Sequence, residues 1–238
     1  MIPVRMKELA VRSGTSTATI KFYLREGLLP PGRRVNATLA EYDESHLRRL
    51  ELVATLRTVL GAPLDRIKAL TDRIDDPEVA LLQILADAQS LALGQEAADA
   101  TLQADEEPVV TDVFAERGWP DVPSWARTAL DAQVAQMREL GIAVDARTMS
   151  TYAEAADRAA ALDIGVVQSA GSRDEAALVV AVGVHSYSQL LLGLLAVAQT
   201  SRSIKEFADR DERAVDRSPH RAIPGIHPPP PENPHPTG

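Results

Sequence analysis

Seven lysines and arginines lie between Met1 and Arg34 against two glutamates, giving this stretch +5 in a chain whose net charge is −9. Everything after it therefore carries −14. A basic module on an acidic body suits localised contact with a polyanion and excludes a uniformly basic nucleic-acid binder. The chemistry on offer is hydrogen bonding and ion pairing rather than bond making: hydroxyls at Ser16, Thr17 and Thr19 near Ala18, then cations at Lys21, Arg25, Arg33 and Arg34. No Gly-x-Ser-x-Gly elbow, phosphate-binding glycine loop or His-Glu-x-x-His pair occurs. His46, His185, His220, His227 and His235 are scattered, without helical metal-ligand spacing, and there is no cysteine. A thiolate metal sensor is excluded, and the expectation is a protein that is not an enzyme and has no metal or cofactor.

The elements that must position these residues are helical. Met6 to Ser13 reads as a short helix stopped by Gly14; Ser16 suits an N-cap for a second helix from Thr17 to Glu26, with Ile20, Tyr23 and Leu24 on its apolar stripe. Two short helices joined through a glycine make a helix-turn-helix candidate. Pro30, Pro31 and Gly32 break the chain, and Arg33 to Tyr42 reads as a short hairpin, or wing. Asp43 caps a helix over 44–60, ended by Gly61; Pro63 opens another, striped by Leu64, Ile67, Leu70 and Ile74.

The run Lys7-Glu8-Leu9-Ala10, Gly14 and Thr19-Ile20-Lys21-Phe22-Tyr23-Leu24-Arg25-Glu26-Gly27-Leu28-Leu29-Pro30-Pro31 resembles the signature of the MerR family of bacterial transcription regulators. The resemblance continues through Tyr42, Leu47 to Leu50 and Gly61 to Leu70, covering Val4 to about Asp75. It implies a winged helix-turn-helix whose second helix enters the major groove, with Thr17, Ala18 and Thr19 nearest the bases and Ser16 also in the contacting set. Lys21, Phe22, Tyr23, Arg25, Arg33, Arg34, Asn36 and Tyr42 complete the implied DNA-contacting set. The sequence departs from the family pattern in two places. Phe22 stands where a Tyr-Tyr pair is common, and Leu39 and Ala40, rather than an arginine, precede Tyr42, so wing grip falls to Arg33, Arg34 and Asn36. The resemblance further implies a homodimer that binds and distorts double-stranded promoter DNA for RNA polymerase holoenzyme; the expected signal, sensed by the C-terminal helical domain, is unknown, and a small-molecule effector is one candidate partner.

Beyond Asp76 the expected organisation is a dimerisation helix over 77–107, a helical effector domain over 108–216 and a disordered proline-rich tail over 217–238, which holds eight of the 16 prolines. The fold class is thus mainly α, with the winged module over 1–76. Positions 81, 85, 88, 92, 95, 99 and 102 alternate by four and three, and Leu81, Leu85, Ala88 and Ala92 form the apolar half of that seam. The same pattern also fits one helix of a globular bundle. Asp105, Glu106, Glu107 and Pro108 read as a hinge, with later helices over 124–140, 145–162 and 172–199. Trp119, Trp125, Tyr152, His185, Tyr187 and Gln189 are the residues an apolar effector pocket would use, and equally what a helical core contains. The apolar stretch 176–198 is interrupted by His185 to Gln189, favouring a core or interface helix over a membrane span. The first residues lack the apolar core of a signal peptide, so the expected location is the cytoplasm. The rival reading is a drug-sequestering resistance protein that keeps its DNA-binding module.

Overall fold

The computed structural model describes residues 4–36, 39–95, 106–163 and 170–216. The Pro-rich tail, the seam positions Asp99 and Leu102, and the histidines at 220, 227 and 235 lie outside the described residues.

Helices α1 (Met6–Ser13) and α2 (Thr17–Arg25) are followed by a two-stranded antiparallel hairpin, β1 (Arg33–Arg34) and β2 (Ala40–Glu41). Arg33 pairs in register with Glu41 and Arg34 with Ala40. A bridge between Val4 and Tyr42 ties the hairpin to the start of the chain, each backbone N–H donating to the other's carbonyl at 2.8 and 2.9 Å. Then come α3 (Glu44–Thr58) and α4 (Leu64–Asp75). Asp43 caps α3 as its spacing predicts, accepting from the Ser45 amide at 3.0 Å. Leu9, Ile20, Leu28, Leu50, Leu56 and Ile67 form the centre of the core beneath these elements.

Helix α5 (Leu81–Ala92) is much shorter than the expected 77–107 helix. Gly94, at φ 64°, takes the left-handed conformation that terminates a helix. Nor is its four-three seam free. Ala88 and Ala92 are buried in the chain's own core with Ile84, while Leu81 is exposed and Leu85 half-buried. The bundle-helix alternative describes α5, because its apolar stripe already has an intramolecular partner.

Pro108 opens a helix instead of closing a hinge: α6 runs Pro108–Arg117. Proline at the first helical position gives up no hydrogen bond, so the residue read as a breaker is a starter. With α7 (Trp125–Glu139) and α8 (Ala146–Asp163), α6 encloses a second core of Val110, Val113, Val134, Met149 and Ala153. Its polar floor is a buried network. Arg127 Nε donates to Asp131 at 2.9 Å, Arg127 Nη2 to Thr111 at 2.9 Å, and the Glu107 amide to Asp131 at 3.0 Å.

The last helix, α9, spans Arg173–Asp216, well past the expected end at 199. By internal contacts the chain divides into two compact units, Met1–Gln189 and Leu190–Gly238. Within the first unit, Ala177 and Ala181 are fully buried in the same core as α1 to α5. In the second, every described side chain from Leu190 to Phe207 is exposed. By length and composition alone, Arg173–Phe207 is long and apolar enough to cross a membrane.

Candidate nucleic-acid interface

The end of α2 that resembles a reading head is built by its cap. Ser16 accepts the Thr19 amide on its hydroxyl at 3.0 Å, and the two hydroxyl oxygens lie 2.8 Å apart. Thr19 is therefore half-buried and committed to holding the turn, while Thr17 and Ala18 are exposed at the helix start. Helix amides left without intrahelical partners give that end a partial positive charge, suited to a phosphate-rich groove.

Of the flanking residues, Lys21 and Arg25 are exposed. The Arg25 guanidinium lies 5.4 Å from the Phe22 ring centre, which restrains it beside the helix, and it pairs with Glu26 at 3.4 Å. The Phe22 ring thus supports a cation where a tyrosine hydroxyl would itself reach for phosphate.

Two members of the expected contact set lie in the core instead. Tyr23 is 4% exposed and Tyr42 5%. Tyr23 lies on the inward stripe of α2, and the Tyr42 ring meets His46 edge-on at 5.1 Å. Burial pushes the Tyr42 hydroxyl's pKa up. Its structural work is visible at Gly32, where a Cβ would lie 2.8 Å from the Tyr42 ring and 2.7 Å from the Glu41 carbonyl oxygen. The wing folds down over Tyr42 because residue 32 has no side chain.

On the wing, Arg33 forms an ion pair with Glu41 across the hairpin, whereas Arg34 makes no ion pair among the described residues. Asn36, also exposed, sits past β1, where the backbone turns with Val35 N donating to Leu39 at 2.9 Å. Arg33 is thus partly neutralised and Arg34 is the wing's available cation.

Sequence reasoning missed the residue that anchors the base of this module. Arg49, 3% exposed, directs Nη1 to Asp75 at 3.0 Å and to the Leu28 carbonyl at 3.4 Å, and Nε to Asp174. Burial opposes its charge, but the bonds to Asp75 and Asp174 outweigh that and hold its pKa above the ordinary value. Next to it, Arg173 Nη1 donates to the Asp76 carbonyl at 2.7 Å. The first turn of α9 is latched onto α3 and the end of α4, a link across 125 residues that no local pattern signals.

The six expected effector-pocket residues do not converge. Trp119 packs against the second core and donates at the surface to exposed Asp157 at 2.9 Å, and Tyr152 is exposed on α8. On α9, Tyr187 and Gln189 are exposed and His185 is half-buried. Trp125 lines a cavity of about 250 Å³ with Arg66, Leu70, Arg73, Asp87 and Leu91. Its indole N–H is spent on the Ala86 carbonyl at 3.1 Å. No group of three or more acidic or histidine side chains suited to a metal occurs among the described residues.

Residues 4–74 match the MerR HTH family regulatory protein model. Residues 4–74 hold a MerR-type module. Over 67 residues the chain is 34% identical to the HTH-type transcriptional regulator ZntR homolog of Haemophilus influenzae, covering 28% of this chain and 49% of that one. Over 65 residues it is 32% identical to the HTH-type transcriptional regulator YfmP of Bacillus subtilis, covering 27% and 46%. The chain thus spans about half the length of these curated relatives. A crystal structure of SCO5550 from Streptomyces coelicolor A3(2), described as a candidate transcriptional regulator, is similar over 85% of this chain and 97% of that one, with TM-score 0.58 and 29% identity. The match to the family model ends at residue 74, near the end of α4, whereas the likeness to the SCO5550 structure covers 85% of this chain.

Proposed function

We propose that the chain is a homodimeric, sequence-specific DNA-binding transcription regulator, whose α2 enters the major groove while the wing grips flanking phosphates. One observation carries this reading: the exposed Thr17–Ala18 start of α2, flanked by Lys21, Arg25 and Arg34, sits in a module matched along its length to the MerR family. Thr17 is the direct reader, since Thr19 is occupied by its cap bond and Tyr23 and Tyr42 serve the core. Two copies on a pseudo-palindromic promoter deform it for RNA polymerase, so part of the specificity comes from DNA deformability. The cavity lined by Trp125, Arg66 and Arg73 is the candidate place for a small-molecule effector, although Arg73 is paired with Asp87 and Arg66 donates to the Gln95 carbonyl at 2.7 Å.

The test is a salt titration of binding to one operator and one scrambled duplex. Arg34→Ala is expected to weaken both alike and reduce the slope of log affinity against log salt by about one, the share of one phosphate contact. Arg33→Ala should change the slope less, because Glu41 already claims its charge. An unchanged slope for Arg34→Ala refutes the wing contact.

A further inference from the structure

Residues of α4, α5 and α7 meet around the cavity of about 250 Å³, and its lining divides into an apolar part and a charged part. Leu70 and Leu91 are buried walls, 3% and 8% exposed. Trp125 gives its indole N–H to the Ala86 carbonyl, so what it offers an occupant is ring carbon. The charged lining is Arg66, Arg73 and Asp87, two cations against one anion, which leaves one net positive charge.

The two arginines are not equivalent. Arg73 is paired with Asp87, so its charge is matched within the lining. Arg66 is half-buried and makes no ion pair among the described residues; its Nη2 donates to a neutral acceptor, the Gln95 carbonyl, at 2.7 Å. That carbonyl also accepts from the Ser90 hydroxyl at 3.2 Å, so it stays hydrogen-bonded when Arg66 turns away. The guanidinium gains by exchanging a neutral partner for a carboxylate. Bonds between two ionised groups are the stronger kind, and the planar fork can take both carboxylate oxygens at once.

We propose that this cavity binds a small aromatic monoanion, with its carboxylate on Arg66 and its single ring against Trp125, Leu70 and Leu91. Charge sets the valence. One negative charge neutralises the lining, a second would lie uncompensated near Asp87, and an amine would add to a surplus that is already positive. Volume sets the size, because 250 Å³ falls below the range of about 300–1,000 Å³ typical of ligand pockets. A flat ring suits the indole, since offset stacking adds to the gain from burial. Turning Arg66 to the ligand also removes a tie between α4 and the turn that follows α5. That the ligand acts as an effector rests on the DNA-binding reading; that it binds does not.

Titration calorimetry of the full, unaltered chain tests this with phenylacetate as the probe. Phenylacetamide is its neutral isostere, phenethylamine its cationic counterpart, and inorganic phosphate an anion without a ring. Phenylacetate is expected to bind about tenfold or more tightly than the amide, the share of one charge-assisted pair, while phenethylamine and phosphate show no saturable binding. With Trp119→Phe, Trp125 is the single tryptophan, so a saturable change in its fluorescence places the ligand. Arg66→Gln should cost the acid about tenfold and leave the amide unchanged, and Arg66→Lys should restore part of the loss. Ala69→Phe, at an exposed lining position of α4, should block acid and amide alike. Far-ultraviolet circular dichroism checks that each variant is folded, and the ligand series on the unaltered chain needs none of them. No phenylacetate binding at millimolar concentration, equal affinity for acid and amide, phosphate binding as tightly as the acid, or an acid affinity unmoved by Arg66→Gln each overturns the proposal. Duplex binding is measured on the same chain. Acid binding without duplex binding refutes the DNA-binding reading alone, and duplex binding without acid binding refutes the ligand proposal alone.

Discussion

Removing the Asp174 carboxylate should destabilise the protein more than removing Asp75, although both pair with the same arginine. Asp174 is 15% exposed and Asp75 47% exposed, while the Arg49 side chain between them is 3% exposed. Breaking a buried ion pair from one side costs about 3–5 kcal/mol, because the remaining charge stays buried. Asp174→Ala leaves Arg49 with Asp75 and the Leu28 carbonyl, which retain part of that, so the expected loss is about 2–3 kcal/mol. The exposed partner contributes as a surface ion pair does, and Asp75→Ala should cost about 1 kcal/mol or less. Urea denaturation of the full chain reads both losses as shifts of midpoint at constant slope. If Asp75→Ala costs as much as Asp174→Ala, or if both cost under about 0.5 kcal/mol, burial of the latch does not govern its strength and the reasoning fails.

Gly32→Ala should displace the wing, because its Cβ would lie within 2.8 Å of both the Tyr42 ring and the Glu41 carbonyl. A loss of about 1–3 kcal/mol, the range for overpacking a filled site, is expected in thermal unfolding, together with weakened binding to any duplex. Asp43, the cap of α3, has its pKa lowered from 3.8 to about 2, chiefly by the Ser45 hydroxyl, with His46 adding to it. A carboxylate depressed in the folded state stabilises above its unfolded pKa and loses that contribution as pH falls through the folded one. Stability should therefore decline between about pH 4 and pH 2, and Asp43→Asn should flatten that part of the profile in acid titration monitored by circular dichroism.

Helices α1 to α4 were legible because their signals are local: the Gly14 stop of α1, the Ser16 and Asp43 caps of α2 and α3, the Pro63 start of α4, and an apolar stripe on each. The reading of Pro108 as a hinge failed because proline both breaks and begins helices, and only the following residues distinguish the two. Heptad spacing in α5 was real but ambiguous, since a helix buried against its own chain and one buried against a partner share a period. Only tertiary contacts show that Ala88 and Ala92 are already covered. Tyr23 and Tyr42 were ambiguous for a related reason: aromatic rings near a charged surface serve packing as readily as recognition, and both are buried in the core.

The latch also changes how sensing and DNA binding can be separated. Cutting the chain at 121 looks clean in the sequence, because the basic module and α5 precede it. Such a cut removes Asp174 from buried Arg49 and takes Ala177 and Ala181 out of the core shared with α1 to α5. The truncated module would leave a buried cation without one of its two carboxylates and an apolar groove open to water. Loss of DNA binding in that fragment would report unfolding rather than loss of a sensor. Substitutions at exposed or cavity positions, which leave Arg49, Asp174 and the buried alanines in place, are the perturbations that can tell the two apart.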